Sequence, residues 1–84
     1  MKASELPEVG VIVRKNGVFL GFPIAYMVSR FGGKLPDAVA LICGGREVKA
    51  RLYTVRRGVV EYRVYGRYVS AVLDSDECIF LSTS

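Results

Sequence analysis

The chain has 84 residues, of which 51% are hydrophobic, so it is long enough for one domain with a small core and too apolar to be intrinsically disordered. No apolar run approaches the roughly 18 residues that a membrane-spanning helix needs, so no membrane contact is expected. The absence of histidine excludes Ser/His and Cys/His nucleophile pairs and disfavours a zinc site. The sequence therefore predicts no enzyme, no cofactor and no metal site.

The charge is distributed unevenly along the chain. Eleven of the twelve Lys and Arg residues lie between Arg14 and Arg67, together with three of the eight acids, so this stretch carries +8. The two ends together carry one lysine and five acids, or −4. Concentrated positive charge on a small domain is typical of a protein that binds a polyanion such as nucleic acid.

Residues 1–8 are polar and contain Pro7, which indicates a flexible lead-in to a single domain over residues 9–84. This start has no apolar segment typical of a secretory signal, so we expect an intracellular protein, cytoplasmic or nucleoid-associated. The chain has no glutamine and a single asparagine, and depletion of thermolabile amides is a trend in thermophiles, so the composition favours a thermophilic source.

Six strands and two helical segments are predicted in chain order. Asn16-Gly17 is a strong hairpin signal, because both residue types tolerate positive φ. After Pro23, apolar residues recur at spacings of three, four and seven, which predicts a helix that ends at Gly32-Gly33. The predicted strands are residues 9–15, 18–21, 38–43, 46–55, 59–65 and 77–81. The predicted helical segments are residues 23–31 and one or two turns within 66–73.

The resulting order, β-β-α-β-β-β-α-β, predicts a mainly β fold with one or two short helices, forming a small pseudobarrel rather than an open sheet. Alternation in the fourth and fifth strands separates an inner apolar face from an outer face. The outer positions are Glu47, Lys49, Arg51, Tyr53, Glu61, Arg63 and Tyr65. Phe19, Phe31, Tyr62 and Phe80 are expected to fill the core.

Cys43 and Cys78 are interpreted first as two small buried apolar residues, with a disulfide between them as the alternative. Asp74, Asp76 and Glu77 are close enough in sequence to hold magnesium, but acids in a turn before a strand are more often solvated. Neither feature predicts catalysis.

Cations at two predicted hairpin tips and along one strand face form the candidate binding site. A tip can enter a nucleic-acid groove, and arginine can read guanine edges or clamp phosphates. A stripe of cations on strands can track a phosphate backbone. The candidate DNA-binding residues are Arg14, Lys15, Asn16, Lys49, Arg51, Arg56, Arg57 and Arg63. The alternative interpretation of each is a solubilising charge or a guard against edge-to-edge strand pairing.

The stretch from Leu20-Gly21-Phe22-Pro23 through PIAYMVSRF to LPDAVALICGGREVKARLY resembles the DNA-binding pseudobarrel of plant B-three-type transcription factors. The segment from Val72 to Phe80 is similar to the ending of that family. The resemblance covers roughly residues 10–82 and implies two arms that grip the DNA major groove. Those arms correspond to Arg14, Lys15 and Asn16, and to Lys49, Arg51, Arg56 and Arg57.

A shorter stretch, VRKNGVFLGFPIAYMVSRFGGKLPDAVAL, is similar to the swapped-hairpin AbrB family, which implies a DNA-binding homodimer. Together these observations predict a double-stranded DNA-binding domain, acting in transcription regulation or associated with chromatin. The alternatives are a binder of single-stranded DNA or RNA, with Tyr53 and Tyr65 stacking on bases, and a protein-interaction module within a larger complex.

Overall fold

The computed structural model describes residues 9–75 and 77–82, which form six strands and two short helices in the predicted order. All strand pairs are antiparallel, and the sheet curls into a half-barrel, so the predicted fold class is confirmed. The strands are β1 (Gly10–Arg14), β2 (Gly17–Pro23), β3 (Ala38–Cys43), β4 (Arg46–Arg56), β5 (Val59–Val64) and β6 (Cys78–Ser82). The helices are α1 (Ile24–Arg30) and α2 (Val69–Leu73), the latter preceded by a 3-10 turn (Gly66–Tyr68).

The spatial order of the strands is β1-β2-β5-β4-β3-β6. The β1–β2 hairpin therefore packs against β5 rather than against β3, which follows it in sequence. At one corner the sheet approaches closure, because the N–H of Val9 donates to the carbonyl of Cys78 over 3.3 Å. β1 is otherwise an edge strand and exposes Val11 and Val13, whose relative accessibilities are 43% and 64%.

The concave side of the sheet holds the core. Phe80 on β6 is its aromatic centre and packs edge-on against Phe22 of β2 and against Tyr26 and Phe31 of the α1 region, with ring centroids 5.2 to 6.1 Å apart. Met27 is the buried residue of α1. Each fully buried side chain of this size contributes about 1.5–3 kcal/mol by leaving water, so this short helix is stabilised mainly by tertiary packing.

Long-range hydrogen bonds connect the irregular segments to the sheet. Pro23 precedes α1 with φ −61°, and the first helical N–H, of Ile24, donates to the carbonyl of Gly58 over 2.9 Å. The hydroxyl of buried Tyr62 donates to the carbonyl of Pro36 over 2.8 Å. Burial, with a smaller effect of Asp37, raises the pKa of Tyr62 to about 12.

The hairpin turns differ in how they reverse the chain. Gly44-Gly45 and Arg57-Gly58 both have positive φ at two consecutive residues, the geometry that matches the twist of the flanking strands. The first hairpin uses Lys15-Asn16 as its loop, and its positive φ of 147° is at Gly17. The hairpin predicted at Asn16-Gly17 is therefore present, with positive φ at Gly17 and not at Asn16.

The alternative interpretation of the cysteines, a disulfide, is the correct one, and the burial that the first interpretation predicted is also present. Cys43 and Cys78 are direct partners in the β3–β6 register and are joined by a disulfide. Their Cα atoms are 4.2 Å apart, and both residues are buried. Sequence spacing did not reveal the bond, because it depends on β6 pairing with β3 across 35 residues.

Among the described residues, neither helix is long and apolar enough to cross a membrane. The predicted lead-in, residues 1–8, and Asp76 of the acidic cluster lie outside the described residues.

Candidate functional site

The convex side of the sheet carries most of the cations that the sequence singled out. We call this side the outer face and define it by the residues that share it through strand register and alternation: Ile12, Arg14, Phe19, Glu47, Lys49, Arg51, Tyr53, Thr54, Arg56, Val59, Glu61 and Arg63. The order β1-β2-β5-β4 places the two basic hairpins on neighbouring strands. Cations separated by up to 49 positions in sequence therefore share one surface.

A β-bulge in β4 adds Arg56 to this face. Arg51 pairs with Arg63, Leu52 with Tyr62, and then Thr54, rather than Tyr53, with Glu61. An extra residue on one strand reverses the alternation beyond it. Arg56 therefore lies on the same side as Arg51, although strict alternation would put residues five apart on opposite sides.

Glu61 is buried beneath two of the predicted binding residues. Its relative accessibility is 4%, although alternation predicted an exposed outer position. Arg14 forms a two-pronged ion pair with its carboxylate, through Nη1–Oε1 and a 3.0 Å Nη2–Oε2 bond. Nε of Arg56 approaches the same carboxylate to 3.7 Å. A buried carboxylate requires such partners, because an unpaired charge away from water is costly.

The hydrogen bond from Arg14 holds the pKa of the Glu61 carboxyl below its ordinary value, although burial acts in the opposite direction. The same bond raises the pKa of the Arg14 guanidinium. Arg14 and Arg56 are thus both engaged with an internal counterion, and their charge is partly neutralised.

Phe19 occupies the outer face rather than the main core. It is fully buried, but by Tyr53, whose ring centroid is 4.7 Å away, and by the guanidinium of Arg14 at 5.2 Å from its ring centre. Phe19 is thus buried as predicted, but it lies outside the main core cluster, because its register partner on β5 is Arg63, an outward-facing residue.

Arg51 and Arg63 are direct cross-strand partners on β4 and β5. Within residues 9–75 and 77–82, the salt bridges involve Arg14, Arg56 and Glu61, and none involves this pair. Like charges directly opposite each other in a sheet are destabilising. This pair therefore forms a concentrated positive site.

The first hairpin tip positions Arg63. The Arg63 guanidinium donates to the carbonyl of Asn16 over 2.8 Å, and the Asn16 amide lies 3.3 Å from the hydroxyl of Tyr53. A Cβ on Gly17 would come within 3.2 Å of Arg63 Nε. Glycine at position 17 thus both adopts the positive φ and leaves room for the guanidinium.

A pocket of about 470 Å³ lies beside this arginine pair, where β5 continues into the 3-10 turn. Leu52, Val64 and Val69 supply apolar walls, and Tyr53 and Tyr65 lie at its rim with the two arginines. Tyr53 is 47% exposed, and the Arg51 guanidinium lies 5.9 Å from the ring centre of Tyr65.

The two hairpin tips lie at opposite ends of this surface. Gly17, next to the first tip, begins β2, and Pro23 at the other end of β2 pairs with Val59, next to the second tip. β2 has seven residues, and at about 3.3 Å per residue the ends are about 20 Å apart. The tips do not converge on one point, and the outer face connects them.

The remaining predicted residues are exposed. Lys49 is two positions from Arg51 on the same face of β4. Lys15 and Arg57 occupy the two loops, and Arg57 has an unusual φ of 52° for a non-glycine residue. Around Arg57, Arg14 and Arg56 a second pocket of about 490 Å³ opens over Glu61.

The described part of the chain contains no cluster of three His, Cys, Asp or Glu residues arranged to hold a metal ion. Three residues of the site were not identified from sequence: Glu61 as an internal counterion, Phe19 as a support for the outer face, and Gly66 beside the pocket. Strict alternation carried no signal for the bulge that places Arg56 on the outer face.

Comparisons with protein-family models, with curated proteins and with solved structures yield no match to this chain. The resemblances to the B-three-type and AbrB families therefore stay predictions, as does the homodimer that the second one implies.

Proposed function

We propose that this protein is a non-enzymatic nucleic-acid-binding domain whose outer face contacts backbone phosphates, with duplex DNA as the preferred partner. The observation that carries the proposal is the Arg51–Arg63 cross-strand pair, which has no acidic partner among the described residues. Repulsion within such a pair lowers the stability of the free protein, and bound phosphates would neutralise its two positive charges.

The charge of the surrounding surface supports the same assignment. Lys49, Arg51 and Arg63 are exposed on the outer face, and Lys15 and Arg57 extend the positive charge to both tips. The acids on this face are Glu47 and the buried, doubly paired Glu61. A surface of this kind attracts polyanions and releases their condensed counterions on binding.

The spacing of the tips suggests how a duplex is bound. A separation of about 20 Å between tips exceeds the major-groove width of about 12 Å. We infer that the outer face lies along the duplex, with the two tips contacting phosphates several base pairs apart. Phosphate contacts would set the position of the protein, and any sequence preference would come from the tips.

The test is a salt titration of DNA binding, measured by fluorescence anisotropy with a labelled duplex. For Arg51→Ala/Arg63→Ala we expect a large loss of affinity at low salt and a salt slope reduced by about two. Arg30→Ala/Arg46→Ala is the matched control, because it removes two arginines that lie off the outer face. Equal losses in both double variants, or no binding by the wild type at low salt, would contradict the proposal.

Single-stranded DNA or RNA is the second candidate partner. The observation that favours it is the half-exposed ring of Tyr53 beside the arginine pair, since exposed aromatic side chains stack on unpaired bases. Competition between duplex and single strand for the labelled complex distinguishes the two partners.

A further inference from the structure

The pocket beside Arg51 and Arg63 differs in chemistry from the rest of the outer face. Its walls are apolar, with Val64 buried and Leu52 and Val69 half-buried, whereas its rim carries two guanidinium groups and two phenol rings. A volume of about 470 Å³ falls within the range of small-ligand sites, about 300–1,000 Å³. A plain phosphate-contact surface needs no apolar recess.

An apolar recess bordered by aromatic rings suits a flat heterocyclic ring, and adjacent guanidinium groups suit a phosphate. The position of Arg63 supports phosphate binding here, because its hydrogen bond to the Asn16 carbonyl orients the guanidinium before any ligand binds. Arg51 lies against Tyr65, which restricts its guanidinium in the same way. Each of the two charged groups, both on residues that line the recess, thus has a partner within the protein that limits its movement.

We propose that this pocket binds one unpaired nucleotide of a nucleic-acid strand, with its base against the apolar walls and tyrosine rings and its phosphate on Arg51 and Arg63. This proposal rests on the proposed function and assigns the pocket to an unpaired nucleotide of the bound nucleic acid. Within the duplex partner of the proposed function, it predicts that a duplex carrying an unpaired segment binds more tightly than a blunt duplex. A base held in a duplex stack cannot enter the recess, because extruding it costs stacking and pairing energy.

Gly66 offers a way to block the pocket without changing charge. It lines the recess, a Cβ built on it meets no atom within 4 Å, and its φ is outside the range that favours glycine. Gly66→Leu should therefore fold and fill the recess. Ser70→Leu is the matched control, because it adds the same side chain at an exposed position of α2 outside the pocket.

The experiment compares three labelled ligands by anisotropy: a blunt duplex, the same duplex with a single-stranded tail, and the tail strand alone. We expect the wild type and Ser70→Leu to bind the tailed duplex about tenfold more tightly than the blunt one. Gly66→Leu should lose this preference and bind the tailed and the blunt duplex equally.

Two results overturn the inference while leaving the proposed function intact. The first is equal binding of tailed and blunt duplex by the wild type. The second is a preference for the tail that survives in Gly66→Leu, with circular dichroism showing that the variant is folded. Absence of binding to all three ligands at low salt would instead refute the proposed function, and this inference with it.

Discussion

Glu61 shows how a single buried carboxylate reduces the positive charge that a basic surface offers to a ligand. By alternation it belongs to the exposed side of β5, yet it is buried because Arg14 and Arg56 cover it from the two neighbouring hairpins. Its carboxylate organises the outer face and also competes with any phosphate for these two guanidinium groups. The charge that Arg14 and Arg56 can offer to a ligand is therefore smaller than the sequence suggests.

Replacing Glu61 with Gln should lower stability at neutral pH and raise nucleic-acid affinity at low salt. In the folded state the pKa of Glu61 lies below its ordinary value of 4.5. Its carboxylate therefore stabilises the fold fully at pH values above the unfolded-state pKa. That contribution is lost as the pH falls through the folded-state pKa. The stability difference between wild type and variant should thus shrink on acidification. Urea denaturation over a pH series measures it, and a difference independent of pH would contradict the assignment.

At the scale of elements, the β4–β5 hairpin determines where the second group of cations lies. The bulge at Tyr53 turns Arg56 onto the outer face, and the turn places Arg57 at φ 52°. A non-glycine residue in this conformation costs about 1 kcal/mol. A strained arginine at an exposed tip suggests that its charge is useful there.

Arg57→Asn should therefore stabilise the hairpin and weaken DNA binding. Asn-Gly is the preferred pair for a turn with two positive φ values, so we expect a gain of about 0.5–1 kcal/mol and a loss of one phosphate contact. Thermal denaturation and the salt slope of binding measure the two effects. Lys34→Asn removes an equal charge from the loop after α1 and should change neither. If Arg57→Asn is stabilised but binds DNA like the wild type, the second hairpin tip is not part of the binding site.

For the whole molecule, the disulfide provides the covalent link between strands far apart in sequence. β6 pairs with β3, and Cys43–Cys78 joins the two where β3 ends and β6 begins. The closed loop spans 35 residues, so restricting the unfolded chain should contribute about 4 kcal/mol. That is a large share of the stability of a domain this small.

Reduction, or the double substitution Cys43→Ala/Cys78→Ala, should lower the free energy of unfolding by about 3–4 kcal/mol. Urea denaturation with and without reductant measures the loss in the wild type. The double variant serves as the control, because reductant should not affect it. Free thiols in the unreduced wild-type protein, detected by alkylation, would contradict the bond.

Much of the fold could be predicted from local patterns. Alternation and turn glycines predicted the strands to within a few residues, and residues 38–43 match β3 at both ends. The apolar spacing after Pro23 predicted α1. These features depend on neighbours within a few positions, which a single sequence contains. The outward position of Lys49, Arg51 and Arg63 was predicted for the same reason.

The sequence by itself thus determined the element types, their order and a positive charge concentrated on strands and turns. Only the tertiary structure decided which non-consecutive strands are neighbours, and this controls the disulfide, the burial of Glu61 and the separation of the tips. The bulge in β4 determines the arginine pair. The ion pair between Arg14 and Glu61 joins residues 47 positions apart. Such contacts arise from the packing of the whole sheet and from one bulge, and no local pattern in the chain encodes either.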